Sequence, residues 1–399
     1  MLREEVLKQI IISQKEWVKK LNTGIKREAL EKINVSGSFA TVVSGIRRGG
    51  KSTLIRQLMQ KNNFYYLNFE DPRLEGIELR DLTKIEKIFN EYGTGEVFFF
   101  DEIQNIKGWE KFIRYLVDKK EKVVITGSNA SMLSFELGTK LTGRHLRTEL
   151  FPFSYNEFLC FKKLKPSKAS FEKYMEKGGF AEFLKKEDPT IHHELLNDVV
   201  ARDIAVRFGL RNIAVLKKLA TFLLSQVGKS FSYNSLKKTF QIKSVQSVID
   251  YINYFEDAYL LFTVPIFSYS YKKQQNNPKK IYSVDSGLSR SNSISFSDDR
   301  GRLLENIIFL SLRKNTSEIF YYSSLGECDF IVRHGKNLQA IQVCYELSDE
   351  NEEREIKGLK EAMEELNINK GLILTLNQKD QIGNIDIMPV WEWLLEKNE

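Results

Sequence analysis

The chain has 399 residues, 42% hydrophobic and 28% charged, with a formal net charge of +7. That length predicts two or three domains rather than one core, and the composition is that of a globular protein. Three scattered cysteines without a CxxC pair exclude a disulfide framework or zinc site, which points to a reducing cytoplasm, and no apolar run approaches the roughly 20 residues of a membrane span. The charge permits an anionic partner without establishing one.

In chain order, residues 1–35 read as two amphipathic helices, and the N-terminus lacks a signal-peptide core. A strand-like run at 39–43, FATVV, leads into Gly45-Ile46-Arg47-Arg48-Gly49-Gly50-Lys51-Ser52, and Ser52, Thr53 and the residues after them continue as a helix. This matches G-x-x-x-x-G-K-[ST] at every fixed position, between a strand and a helix as a phosphate-binding loop requires. The glycines let backbone N–H groups turn toward phosphate oxygens. Lys51 reaches the outer phosphates, the Ser52 hydroxyl suits magnesium, and the helix N-terminus adds its dipole.

A second strand is expected at 64–71 and a helix around 82–91. The run EVFFFDEIQNI then places Asp101 and Glu102 after four consecutive apolar residues. This is the pattern of a buried parallel strand delivering two carboxylates at its C-terminal end, where nucleotide sites in open parallel sheets lie. Asp101 is assigned to the magnesium shell and Glu102 to the attacking water. The next strand, KVVITGSNA, ends in Thr126-Gly127-Ser128-Asn129. Ser128 or Asn129 there would sit beside the γ-phosphate, or simply form a turn. The run LTGRHLRTELFPFSYNEF carries Arg144 and Arg147, each suited either to a transferring phosphoryl group or to a surface ion pair.

The motifs GIRRGGKST, FFFDEIQNI, ITGSNASML, LTGRHLRTELFPFSYNEFL and NDVVARDIAVRFGLRN resemble those of archaeal and bacterial AAA-type ATPases with an appended DUF4143 domain. The resemblance spans nearly the whole chain. It implies ATP hydrolysis with ATP and Mg2+, in a homo-oligomer such as a hexameric ring, with Arg144 the first and Arg147 the second candidate for a trans-acting arginine. Arg202 and Asp203 fall on an RD pair of that pattern, with no derivable role.

Helices at 171–186 and 192–207 are expected to cap the core. His192 and His193 are adjacent, point to different helix faces and read as structural or solvated. From residue 213, three helical runs precede FSYSYKKQQNNPKKIYSVD, read as a β-hairpin around 274–277 and so as a winged helix-turn-helix. Ser244, Gln246 and Ser247 open its third helix. Lys272, Lys273, Lys279 and Lys280 decorate the wing. These residue types suit DNA backbone contact with weak sequence preference, while protein contact remains the alternative for such a module.

The last segment has the order αβββαβ. Glu305 lies in its first helix and Asp329 in its second strand, an arrangement that resembles the PD-(D/E)xK nuclease fold. Active members carry a carboxylate and a lysine on the next strand, where this chain has Gln342 and Cys344; Lys336 in the adjoining turn is a conceivable substitute. The expected fold is therefore α/β: N-terminal helices (1–35), a P-loop AAA-type parallel-sheet core (36–165), a helical lid (166–212), a winged helix-turn-helix (213–286) and a degenerate PD-(D/E)xK-like α/β domain (287–399). The leading functional expectation is an ATPase that remodels or translocates DNA, branched DNA and branch migration included. The alternatives are a nucleotide-switched signalling or defence ATPase acting on a protein, and an active ATP-dependent nuclease.

Overall fold

The computed structural model describes residues 3–93, 95–127, 143–294 and 299–396. The chain divides into two compact units, Met1–Phe151 and Pro152–Glu399.

The first unit is built on five parallel strands, β1 (Ala40–Ser44), β2 (Phe64–Asn68), β3 (Val97–Asp101), β4 (Lys122–Gly127) and β5 (His145–Glu149), in the order β2-β3-β4-β1-β5. β1 and β3 are buried along their whole length, as a parallel sheet covered on both faces demands. In β3, Phe98 and Phe100 pack with the N-terminal helix α1 (Glu4–Lys20), α4 (Leu79–Tyr92) and α5 (Trp109–Asp118), while Val97 and Phe99 pack with α3 (Lys51–Met59) on the other face. The intervening α2 (Ala29–Lys32) is a single turn, so 21–35 is mostly irregular rather than a second amphipathic helix.

The second unit opens with four helices, α6 (Tyr155–Lys162), α7 (Lys168–Lys177), α8 (Ala181–Lys186) and α9 (Thr190–Asp198). A π-helical stretch, Val199–Val206, carries Arg202 and Asp203. His192 is buried and structural: it stacks on Phe183 with ring centroids 4.0 Å apart, and its Nδ1 is 2.9 Å from Ser291 Oγ.

Next come α10 (Ile213–Leu224), β6 (Ser230–Phe231), α11 (Tyr233–Thr239), α12 (Val245–Asp257), β7 (Leu261–Pro265), α13 (Tyr271–Asn276) and β8 (Lys279–Ser283), with sheet order β6-β8-β7. This is a winged helix, but its wing differs from the expected hairpin. β8 pairs with β7, and 271–276 is helical. YKKQQN is rich in unbranched helix formers, and side chains close the turn: Gln274 Nε2 donates to Ser268 O and Asn277 Nδ2 to Lys273 O, both at 2.7 Å. After α14 (Ser286–Asn292), the C-terminal fold runs α15 (Arg300–Arg313), β9 (Ile319–Ser323), β10 (Glu327–His334), β11 (Asn337–Val343), α16 (Glu352–Glu365), β12 (Gly371–Thr375), β13 (Asp380–Ile382), β14 (Ile385–Pro389) and α17 (Val390–Trp393). Its mixed sheet has the order β13-β14-β12-β11-β10-β9.

Candidate nucleotide site and the nuclease-like carboxylates

The loop after β1 has a backbone that needs its glycines. Gly45 has φ +151°, and a Cβ there would fall 2.1 Å from Leu150 O. Gly50 has φ +99° and caps α3; a Cβ there would meet Arg27 Nη1 at 2.6 Å. That contact exposes a residue the sequence did not single out. Arg27 is 2% exposed and braces the loop from behind, donating from Nη1 to Gly49 O (3.0 Å) and from Nη2 to Phe151 O (2.7 Å). Its own backbone N–H is held by Gln57 Oε1 of α3. Lys51 Nζ curls over the loop and donates to Gly45 O (3.0 Å) and Ile46 O (3.1 Å). The Ile46 side chain is core. Arg47 lies 3.7 Å from Glu70, Arg48 takes the left-handed region (φ 61°), and Thr53 Oγ1 accepts from Arg56.

The strand order positions the acids. β4 lies between β1 and β3, so two strand spacings, ~10 Å, separate the loop strand from the acid strand. Asp101 ends β3 fully buried and is hydrogen-bonded by the Thr126 and Ser52 hydroxyls; Tyr66 OH stands 3.5 Å from it. Burial, and then the Glu102 charge, push the Asp101 carboxyl above its ordinary range. Glu102 is left-handed at φ 54°, a conformation costing a non-glycine residue on the order of 1 kcal/mol. Thr126 holds it: Oγ1 accepts from Glu102 N at 3.0 Å while donating to Asp101. Glu102 Oε1 stands 4.0 Å from Lys51 Nζ, and Gln104 Nε2 donates to Oε2. Burial and the Glu102 charge also raise the Glu70 carboxyl, against the pull of Arg47. Loop, lysine, hydroxyl and two carboxylates thus converge at the C-terminal ends of the strands, a donor set that fits a nucleoside triphosphate and a divalent cation.

The two arginines separate. Arg147 lies in β5 beside the loop strand, its Nε donating to Ser44 Oγ at 3.0 Å and its Nη2 to Glu149 at 2.9 Å. Arg144 precedes β5, its carbonyl accepting from Ala40 N at the start of β1. It lies at the opposite end of the strands from the P-loop, ~16 Å of strand away, and is exposed and ion-paired with Asp118. Ser128 and Asn129 lie outside the described residues.

On the winged helix, Ser244 caps α12: its Oγ accepts from Ser247 N at 3.0 Å and lies 2.9 Å from Ser247 Oγ. Gln246 is exposed and bonded to Asp250. Lys272 and Lys273 are exposed on α13, and Lys279 lies over the Tyr233 ring. Beside them Tyr269 and Tyr271 are 86% and 74% exposed. Lys280 corrects the expectation: it is no surface lysine. Its side chain is 5% exposed and forms ion pairs with Glu305, Glu327 and Asp329, because the alternation of β8 turns it with Tyr282 toward the C-terminal fold. Lys336 sits in the β10–β11 turn, five strand residues from Asp329 and at the far end of β10, out of reach of that cluster.

Gln342 bridges Asp329 N (3.1 Å) and Glu355 Oε2 (2.6 Å). Cys344 is buried, its Sγ 3.1 Å from Glu346 O, and burial pushes the thiol up to about 11.

Comparison with known proteins matches an AAA domain to residues 15–159, a domain of unknown function (DUF8612) to 168–298, and a domain of unknown function (DUF4143) to 300–393. An uncharacterized protein of Methanocaldococcus jannaschii is 35% identical, covering 99% of this chain and 96% of its own. An uncharacterized Haemophilus influenzae protein is 29% identical over 90% of this chain and 94% of its own. Among solved structures, the Walker-type ATPase of Pyrococcus abyssi aligns with a TM-score of 0.43 at 15% identity, covering 69% of this chain and 99% of that one.

Proposed function

The chain belongs to the archaeal and bacterial family that joins an AAA domain to a DUF4143 domain, and on that premise we propose that it hydrolyses ATP and couples the cycle to DNA. The observation that carries the ATPase half is the Thr126 hydroxyl. It ties the backbone of Glu102 to the carboxylate of Asp101, with Lys51 Nζ 4.0 Å from Glu102. Ser52 and Asp101 would hold Mg2+, which when bound neutralises phosphate charge. Lys51 and the loop N–H groups orient the triphosphate, and Glu102, fixed in its left-handed turn, orients the attacking water.

The DNA half is supported by the winged helix and by the surface of its wing. Lys272, Lys273 and Lys279 supply cationic contacts for phosphate, and Tyr269 and Tyr271 supply exposed rings. An assembly of several copies is the reading that gives Arg144 a nucleotide to meet, since its own loop lies at the other end of the sheet. No helix among the described residues is long and apolar enough to cross a membrane.

The test is the ATPase rate of the full chain without DNA and with linear duplex, single-stranded and four-way-junction DNA at two salt concentrations. Stimulation by one DNA form, weakened by salt, is expected. A rate indifferent to every DNA, with no salt-sensitive binding, refutes the DNA half and favours a nucleotide switch acting on a protein. No turnover at all refutes the ATPase half.

A further inference from the structure

The nuclease-like carboxylates do not fit a metal as they stand. Lys280 Nζ lies 2.7 Å from Asp329 Oδ1, 2.9 Å from Glu327 Oε1 and 3.2 Å from Glu305 Oε1. Two of these carboxylates take further donors. Asp329 Oδ2 accepts from Val343 N at 3.0 Å, and Glu305 Oε1 accepts from Tyr282 OH at 2.6 Å. Gln342 is used at both ends, by Asp329 N and by Glu355. From the winged-helix side, Gly228 stands so close that a Cβ there would come within 2.9 Å of Glu305 Oε2. Among the described residues, no group of three or more His, Cys, Asp or Glu is arranged to hold a metal ion.

The lysine that the fold's third strand lacks at Cys344 therefore arrives from β8, in a different domain. It does not stand beside a cation but in its place. Two buried carboxylates and a third at the rim need a positive charge nearby, because unpaired buried charge is strongly unfavourable. An ammonium with three donors meets three acceptors here. Lys280, Tyr282 and Gly228 pack against the Glu305 and Asp329 carboxylates, whereas Glu327 at the rim stays exposed.

We propose that the Lys280 ammonium is a built-in substitute for a divalent cation, which closes the nuclease-like site and fastens the winged helix to the C-terminal fold. Removing the lysine while keeping the acids uncovers a latent site for one divalent ion.

Three measurements on the full chain test this, with Mn2+ as the probe and no nucleotide present. First, wild type and Asp329→Asn should bind Mn2+ identically, and neither should nick supercoiled plasmid with Mn2+. Binding or cleavage that depends on Asp329 in the wild type overturns the proposal. Second, Lys280→Ala should gain one Mn2+ site that Lys280→Ala/Asp329→Asn lacks; a folded Lys280→Ala that gains none overturns the substitution. Third, Lys280→Met should melt well below wild type, and Lys280→Met/Glu305→Gln/Asp329→Asn should recover most of the loss. This last comparison decides the matter if Lys280→Ala does not fold, and an unrecovered melting temperature in the triple variant overturns the charge clamp.

Discussion

Replacing Arg27 with leucine tests whether the P-loop is held from outside its own motif. The guanidinium is 2% exposed and donates to Gly49 O and Phe151 O, so solvent screening does not discount these bonds. A hydrogen bond involving a charged partner is worth ~1.5–3 kcal/mol, and leucine would leave both carbonyls without that donor, giving a loss of about 3–6 kcal/mol. For a unit of this size each kcal/mol moves the melting temperature by ~2–4 °C, so a fall on the order of 10 °C is expected in a thermal melt. Gly49 sets the direction of the next two N–H groups, so affinity for a fluorescent ATP analogue should fall at least ~10-fold, equivalent to about 1.4 kcal/mol. Arg27→Lys keeps the charge but has a single nitrogen to share between the two carbonyls, and should show about half the thermal loss. A leucine variant that melts within about 1 °C of wild type and binds the analogue equally well would refute the brace.

Glu102→Gln should slow phosphate release by about 10²–10⁴-fold while analogue affinity stays within about threefold; loss of binding would instead make Glu102 structural. His192 gives a pH prediction. Burial, then the His193 charge, pulls its imidazole from 6.5 down to about 4. Its stability contribution is therefore full above the unfolded value and is lost as pH falls from 6.5 toward 4, up to about 3 kcal/mol in all. His192→Phe keeps the stack on Phe183 and should flatten that part of the acid dependence in urea melts at about pH 7.5 and about pH 5. Equal losses in both proteins would place the acid sensitivity elsewhere.

What could be read from the chain and what could not divides along a physical line. Gly45 to Ser52 and the pair Asp101-Glu102 are legible because their chemistry requires contiguous residues, and the apolar run before Asp101 marks a buried strand. Arg27 is not legible. It stands alone in a polar stretch, and its partners, Gly49 and Phe151, are 22 and 124 residues away. Strand pairing decides the two arginines, because only the parallel pairing of β5 on β1 reveals that Arg144 lies just before the strand, while Arg147 sits opposite Val42, from where its Nε reaches Ser44 Oγ. Lys280 deceives for another reason. Both faces of β8 are buried, Ile281 on one and Lys280 with Tyr282 on the other, so period-two alternation cannot say which lysine of the KK pair meets water. The missing lysine at Cys344 was the available signal, since a buried acid pair needs a cation from somewhere.

The N-terminal helix has a role that its distance from the phosphate loop conceals. Gln14 takes both outward-facing backbone groups of Asn68: its Oε1 accepts from Asn68 N at 2.7 Å and its Nε2 donates to Asn68 O at 3.1 Å, while Leu7, Ile10 and Ile11 join the core. One amide side chain thus imitates the next strand at the margin of β2. The sheet is finished there by a plug rather than by another ribbon, so a stray chain finds no open ladder to extend at that position. The helix acts as the selvedge of the sheet, and a chain beginning after it would carry a raw hem: bare main-chain groups beside freshly uncovered leucine and isoleucine.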